Sequence, residues 1–249
     1  VRALKGIYRA VQFLTILPLP HNKKSIEPKK LAESMAYFPL VGLFIGLGLF
    51  FVYTGLTGFI TPLLTAVIVA GVWAWFTGAL HLEGFVDAAD GFSSGPDKEK
   101  ILLVMKDKHC GSKGAVALVF LIIIKIALLE AIPVSVKFYA LMLAPVISRW
   151  AMVFAAVFCD YARKTEGFGK AFVKNVGIRE MVVASSILIV AGVVLLQAKF
   201  FVLIIPALVF TVASIIYLKN KINGITGDVL GGLNEIVEVI SLSAFLLLG

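Results

Sequence analysis

The chain reads as an all-α, polytopic membrane bundle, with about seven transmembrane helices preceded by an N-terminal interfacial helix. Three observations carry that expectation. Of 249 residues, 60% are hydrophobic and 15% charged, and the mean hydropathy is +0.99; a soluble domain of this size carries roughly 25% charged residues. Apolar runs long enough to cross a bilayer, about 20 residues each, recur along the sequence. Basic residues gather in alternate connections between those runs, the pattern that orients membrane proteins.

The elements follow in order. Residues 2–17 place Leu4, Ile7, Tyr8, Val11 and Leu14 at helical spacing, with charge on the other side. That is the pattern of a helix lying on the membrane surface. Arg2, Lys5 and Arg9 interrupt its apolar residues and no small-residue cleavage site follows, so it is not expected to be a cleavable signal. Leu17-Pro18-Leu19-Pro20 ends it. Spans are expected near 36–56, 60–82, 114–132, 138–159, 180–198, 200–218 and 229–248. The fourth carries Arg149, and the seventh carries Glu235 and Glu238.

Segments 1–33, 83–113, 160–179 and 219–228 hold 19 of the 23 Lys and Arg residues, among them Lys23, Lys24, Lys98, Lys108, Lys164 and Lys170. The intervening connections are short and hold Lys137 and Lys199. Seven spans with basic loops on alternate sides put the N-terminus and those loops in the cytoplasm of a multi-pass cell-membrane protein. The formal charge of +8 therefore reads as membrane orientation and not as a nucleic-acid surface. Cys110 and Cys159 form no C-x-x-C pair and are expected to be free thiols. Residues 1–249 are expected to form a single membrane-embedded catalytic domain, with no internal repeat. A homo-oligomer is compatible with this pattern.

The chemistry concentrates where spans meet basic loops. Glu83, Asp87 and Asp90 stand at i, i+4 and i+7, so a helix through them projects all three from one face. Like charges on one stripe repel unless a cation lies among them. Carboxylate oxygens suit a hard cation such as Mg²⁺, which also binds substrate phosphate. A solvated acidic helix end would explain the cluster in a soluble protein. In a chain with 15 acidic residues, at a membrane boundary, the metal reading is favoured.

Further along, Met105-Lys106-Asp107 with Gly111, Lys113 and Gly114 precedes the third span. Asp107 is a candidate metal ligand or base, and Lys106, Lys108 and Lys113 are candidate phosphate contacts. The last span opens with Thr226-Gly227-Asp228, and Glu235 lies seven residues deeper. Carboxylates inside a span face the bundle interior or a wet cavity, so Lys125 and Arg149 are candidate partners. For Lys125 a buried ion pair is the favoured reading.

These segments resemble the cobalamin (5′-phosphate) synthase family, the adenosylcobinamide-GDP ribazoletransferases. The resemblance runs through His81-Leu82-Glu83-Gly84, Asp87 and Asp90-Gly91, then Met105-Lys106-Asp107 with Gly111 and Gly114, then Thr226-Gly227-Asp228 with Leu230, Gly231 and Glu235. It extends to Phe13-Leu14-Thr15, Phe38-Pro39-Leu40-Val41-Gly42, Ser148-Arg149-Trp150 and Tyr161-Ala162-Arg163 with Gly167 and Gly169-Lys170. Glu83 stands where the family pattern has Asp, keeping the carboxylate with one more methylene.

The resemblance implies a Mg²⁺-dependent transfer of adenosylcobinamide phosphate from adenosylcobinamide-GDP to α-ribazole or its 5′-phosphate, releasing GMP. It implies Glu83, Asp87, Asp90 and Asp107 as metal ligands and Asp107 and Asp228 as catalytic groups. Lys106, Lys113, Arg149 and Arg163 are then substrate contacts. A second similarity, to CDP-alcohol phosphotransferases, stops at Asp87-Ala88-Ala89-Asp90-Gly91, because Phe92-Ser93-Ser94-Gly95 replaces the rest of that motif. A cation transporter would spread its carboxylates through the membrane depth, whereas most here lie at one face.

Overall fold

The computed structural model describes residues 2–20, 27–107, 109–163 and 168–248. Lys23, Lys24, Lys108, Lys164 and Gly167 lie outside the described residues. The described residues are helical throughout apart from connections and two isolated bridges. The helices are α1 (Arg2–Leu14), α2 (Pro28–Ser34), α3 (Phe38–Leu56), α4 (Pro62–Phe76), α5 (Leu80–Ser93) and α6 (Lys98–Val104). They continue as α7 (Ser112–Ala131), α8 (Val134–Phe158), α9 (Phe168–Asn175), α10 (Ile178–Leu196), α11 (Lys199–Ile222) and α12 (Gly227–Phe245).

Among the described residues, five stretches are long and apolar enough to cross a membrane: Pro28–Leu56, Ser112–Ala131, Val134–Phe158, Ile178–Leu196 and Lys199–Ile222. A sixth is the bent pair Pro62–Phe76 and Leu80–Ser93. This corrects the expected straight span over 60–82. The chain turns by 90° between α4 and α5, because Gly78 and Ala79 both take left-handed backbone, at φ 60° and φ 54°, which no α-helix continues through. Thr77 Oγ1 donates to Trp73 O and Ala74 O, and Ile16 N donates to Phe76 O. The carbonyls freed at the bend are thus satisfied, one of them by the end of α1. α4 alone, at 15 residues, spans about 22 Å, short of a hydrocarbon core of roughly 30 Å.

The basic segments 83–113 and 160–179, expected as loops, contain α6 and α9. α12 is the internal shaft. It packs on α5, α8, α7 and α11, and most of its length is buried, Asn234, Glu235 and Glu238 included. Its three carboxylates keep it out of the set of apolar spans, and its neighbours, not lipid, cover it. α8 is buried along most of its length as well. Together these two helices place the polar groups of the interior.

Candidate active site

A cavity of 330 Å³ opens where α5, α12 and the connections around them converge. Glu83 and Asp87 reach it from α5, Asp228 from the first turn of α12, Lys106 from the connection after α6, and Arg163 from the stretch after α8. The close approach of α5 to α12 creates this grouping, and Gly84 permits it. A Cβ at Gly84 would fall 2.8 Å from Asp228 O, so any larger residue would push the two acidic helices apart.

Local structure fixes the rest. Thr226 caps α12, its Oγ1 accepting from Val229 N, so Asp228 lies in the first turn, where a carboxylate is favoured by the helix dipole. A parallel bridge joins Tyr161 to Ile225, with Ala162 N donating to Ile225 O and Ile225 N to Asp160 O. This clip brings Arg163 to Asp228, with Nη2 2.7 Å from Oδ2. The contact is an ion pair without hydrogen-bond alignment. Tyr161 also lines the cavity, and burial pushes its phenol above the usual pKa, so it stays a neutral donor. The opposite wall is aromatic: Phe13 packs edge-on to Phe172 at 4.8 Å and Phe38 to Phe172 at 5.8 Å.

Five expected site residues therefore meet: Glu83, Asp87, Lys106, Arg163 and Asp228. Four others do not line the cavity. Asp90 turns to the start of α7, where Oδ2 accepts from Gly111 N at 2.7 Å and Oδ1 from Gly114 N at 2.8 Å. It caps that helix, and a Cβ at either glycine would lie 2.4 Å from the Asp90 carboxylate. Asp107 is outside the cavity, with Oδ1 accepting from His109 N and lying 2.8 Å from His109 Nδ1. Lys113 is exposed on α7. Arg149 is wholly buried on α8 and paired with Glu238 through Nη1. Tyr161 and the Phe13–Phe38–Phe172 wall had no individual role in the sequence reading, although Tyr161, Phe13 and Phe38 stand in segments that carried the resemblance.

Behind the cavity lies a second charged group. Lys125 Nζ bridges the carboxylates of Glu235 and Glu238 and lies 4.8 Å from the Trp73 ring centroid. Glu238 Oε1 accepts from Asn234 Nδ2 at 3.1 Å and from Ser148 Oγ at 3.4 Å. The expected pairing of the deep carboxylates with Lys125 and Arg149 is what the structure contains.

The cavity's three carboxylates face two cations, and all its anionic donors are oxygens, a set that suits Mg²⁺. Among the described residues no three His, Cys, Asp or Glu side chains are placed to hold a metal ion together. An ion that normally takes one or two carboxylates and completes its shell with water and substrate phosphate needs no such trio.

The model of the cobalamin-5-phosphate synthase family matches residues 6–246. The chain belongs to that family. Family relatives share its length as well as its sequence. An adenosylcobinamide-GDP ribazoletransferase of Syntrophobacter fumaroxidans is 40% identical over 237 residues, 94% of this chain and 95% of its own. One of Caldanaerobacter subterraneus subsp. tengcongensis is 36% identical, covering 98% and 99% of the two chains. A third, from Thermoanaerobacter sp. (strain X514), is 34% identical, covering 97% of each. No solved structure gives a significant match.

Proposed function

We propose that the chain joins the two halves of cobalamin, transferring adenosylcobinamide phosphate from adenosylcobinamide-GDP to α-ribazole or α-ribazole 5′-phosphate and releasing GMP. The observation that carries this reading is the meeting, in one cavity, of residues from four separate stretches of a chain matched to the family from end to end.

In this reaction a ribose hydroxyl of the acceptor attacks the phosphorus next to cobinamide. The bond to the GMP oxygen breaks, and the hydroxyl proton passes to a carboxylate. Glu83 and Asp87 would hold Mg²⁺, which supplies neutralisation of the phosphate oxygens as charge moves to the leaving group. Arg163 and Lys106, which line the same cavity, would bind the phosphate oxygens. Asp228 is the favoured proton acceptor, because it lines the cavity while Asp107 is engaged with His109 outside it. The aromatic wall excludes water that would otherwise compete with the acceptor hydroxyl.

Counting α4 with α5 as one bent span and α12 as another gives seven crossings. The basic stretches bearing Lys106 and Arg163 then face the cytoplasm, the side from which both water-soluble substrates arrive, in a cell-membrane protein.

Purified protein given adenosylcobinamide-GDP and α-ribazole is expected to release GMP, to stop when EDTA is added and to recover with Mg²⁺. With a CDP-alcohol and a diol acceptor it is expected to release no CMP. Absence of GMP release by folded protein with Mg²⁺ present, or release of CMP, would contradict the reading.

A further inference from the structure

Away from the active-site cavity, a groove of 400 Å³ runs between α5, α11 and α12. Its walls come from Phe85, Ala88 and Phe92 on α5, Ala213 and Tyr217 on α11 and Gly232 on α12. The lining is apolar apart from the hydroxyls of Ser214 and Tyr217. Phe92 and Tyr217, ring centroids 5.8 Å apart, mark the end where α5 and α11 both finish. A groove of this kind facing a bilayer takes hydrocarbon.

The charge at that end says which hydrocarbon. On α11, Lys221 follows Tyr217 by four residues and Leu218 by three, so it continues the stripe that lines the groove. Lys98, from the start of α6, brings its Nζ to 3.3 Å from the Asn223 side-chain amide at the C-terminal cap of α11. Two cations from different helices thus stand beyond the apolar walls. The nearby carboxylate of Asp97 is engaged as the cap of α6, accepting from Lys100 N at 2.9 Å. Lys219 is directed to another side of α11, beside Cys159, and is not part of this end. A helix C-terminus attracts its own lysines, which accounts for Lys221 but not for Lys98.

We propose that this groove binds one anionic phospholipid, with an acyl chain between α5, α11 and α12 and its phosphate between Lys98 and Lys221. The site is fixed and not merely annular, because its floor is formed by the two helices that carry Asp87 and Asp228.

The test is lipid retention by the purified full chain in native mass spectrometry, with phosphatidylglycerol or phosphatidylcholine supplied at equal concentration. Phosphatidylglycerol is expected to be retained roughly thirtyfold more, since each of the two lysines near an anionic headgroup contributes about 1 kcal/mol. The double variant Lys98→Gln/Lys221→Gln should abolish that preference, and Lys29→Gln/Lys30→Gln should keep it. Ala213→Phe, which fills the groove from an exposed position, should abolish retention of both lipids at an unchanged unfolding temperature. Ser214→Leu on the same wall provides the same reading should Ala213→Phe fail to fold. Equal retention of the two lipids, or preference surviving the lysine variant, would overturn the proposal. So would phosphatidylglycerol retention undiminished by Ala213→Phe, or a dimer that Ala213→Phe splits, which would assign the groove to a second copy.

Discussion

Two groups of charges share α12, and they differ in how completely they are answered. At its first turn, Asp228 joins Glu83 and Asp87 in a cavity where three carboxylates meet two cations. About 10 Å further along the helix, Glu235 and Glu238 meet Lys125 and Arg149, two against two, with Asn234 and Ser148 filling a further part of the shell. The first group has charge left over and the larger space beside it. In the second the charges match, a smaller cavity of 230 Å³ reaches Lys125 and Glu235, and Arg149 Nε and Nη2 and Asn234 Oδ1 accept or donate no hydrogen bond among the described residues. An under-compensated, solvent-reached cluster is suited to receiving a cation and a diphosphate, whereas a charge-matched, buried one is suited to fixing the rotation of α12 between α7 and α8. The charge-matched group holds the helix whose end presents the under-compensated one.

The sharpest way to break this comparison is at the cavity. Asp87→Asn removes charge with little change of shape, and turnover should fall by about 10²–10⁴-fold, the scale of a group acting on the reacting atoms. Its unfolding temperature in detergent should match the parent's. Activity within a few-fold of the parent would remove Asp87 from the chemistry.

At the buried group the order reverses. Glu238→Gln leaves Arg149 without its carboxylate and weakens the hold on Lys125, so a loss of about 3–5 kcal/mol is expected, the cost of stranding a buried charge. Denaturant unfolding in mixed micelles measures it. Near-parental stability would mean that the four charges are not what fixes α12.

A smaller effect separates Asp90 from its neighbours on the same stripe. As a cap on α7, it should cost about 1–2 kcal/mol when replaced by Ala, with Mg²⁺ affinity of the residual activity unchanged. A shift in the Mg²⁺ requirement would return Asp90 to the metal. Smallest of all, Lys113→Gln should alter the KM for adenosylcobinamide-GDP by less than about twofold, because an exposed lysine outside the cavity contributes little. A larger rise would show that the donor reaches beyond the cavity rim.

Much of this was legible in the residues. Apolar run length and alternating basic loops gave the helical membrane class and, to within a few residues, α3, α7, α8, α10 and α11. The i, i+4, i+7 spacing put Glu83, Asp87 and Asp90 on one helix. Spacing along a helix does not say what lies across from each position, however, and Asp90 meets backbone amides of α7 where Asp87 meets open space. The bend at Gly78 and Ala79 was hidden because α4 and the start of α5 form one apolar run, and hydropathy is blind to the sign of φ. Arg149 drew attention as a cation in a span. Its pairing with Glu238 depended on the depth of α12, which sequence separation of 89 residues does not convey. The clip between Tyr161 and Ile225, which delivers Arg163 to Asp228, consists of two backbone hydrogen bonds and has no side-chain signature.

The most direct test compares the two ends of α12 in one experiment: Asp228→Asn and Glu235→Gln, each assayed for GMP release and for thermal unfolding in detergent, with and without Mg²⁺. The expected result is crossed, with Asp228→Asn folded like the parent but turning over at least about 10²-fold more slowly, and Glu235→Gln unfolding at lower temperature with turnover largely kept while folded. Glu235→Gln that unfolds like the parent yet releases no GMP would put the deep carboxylate in the chemistry and contradict the division between the two groups.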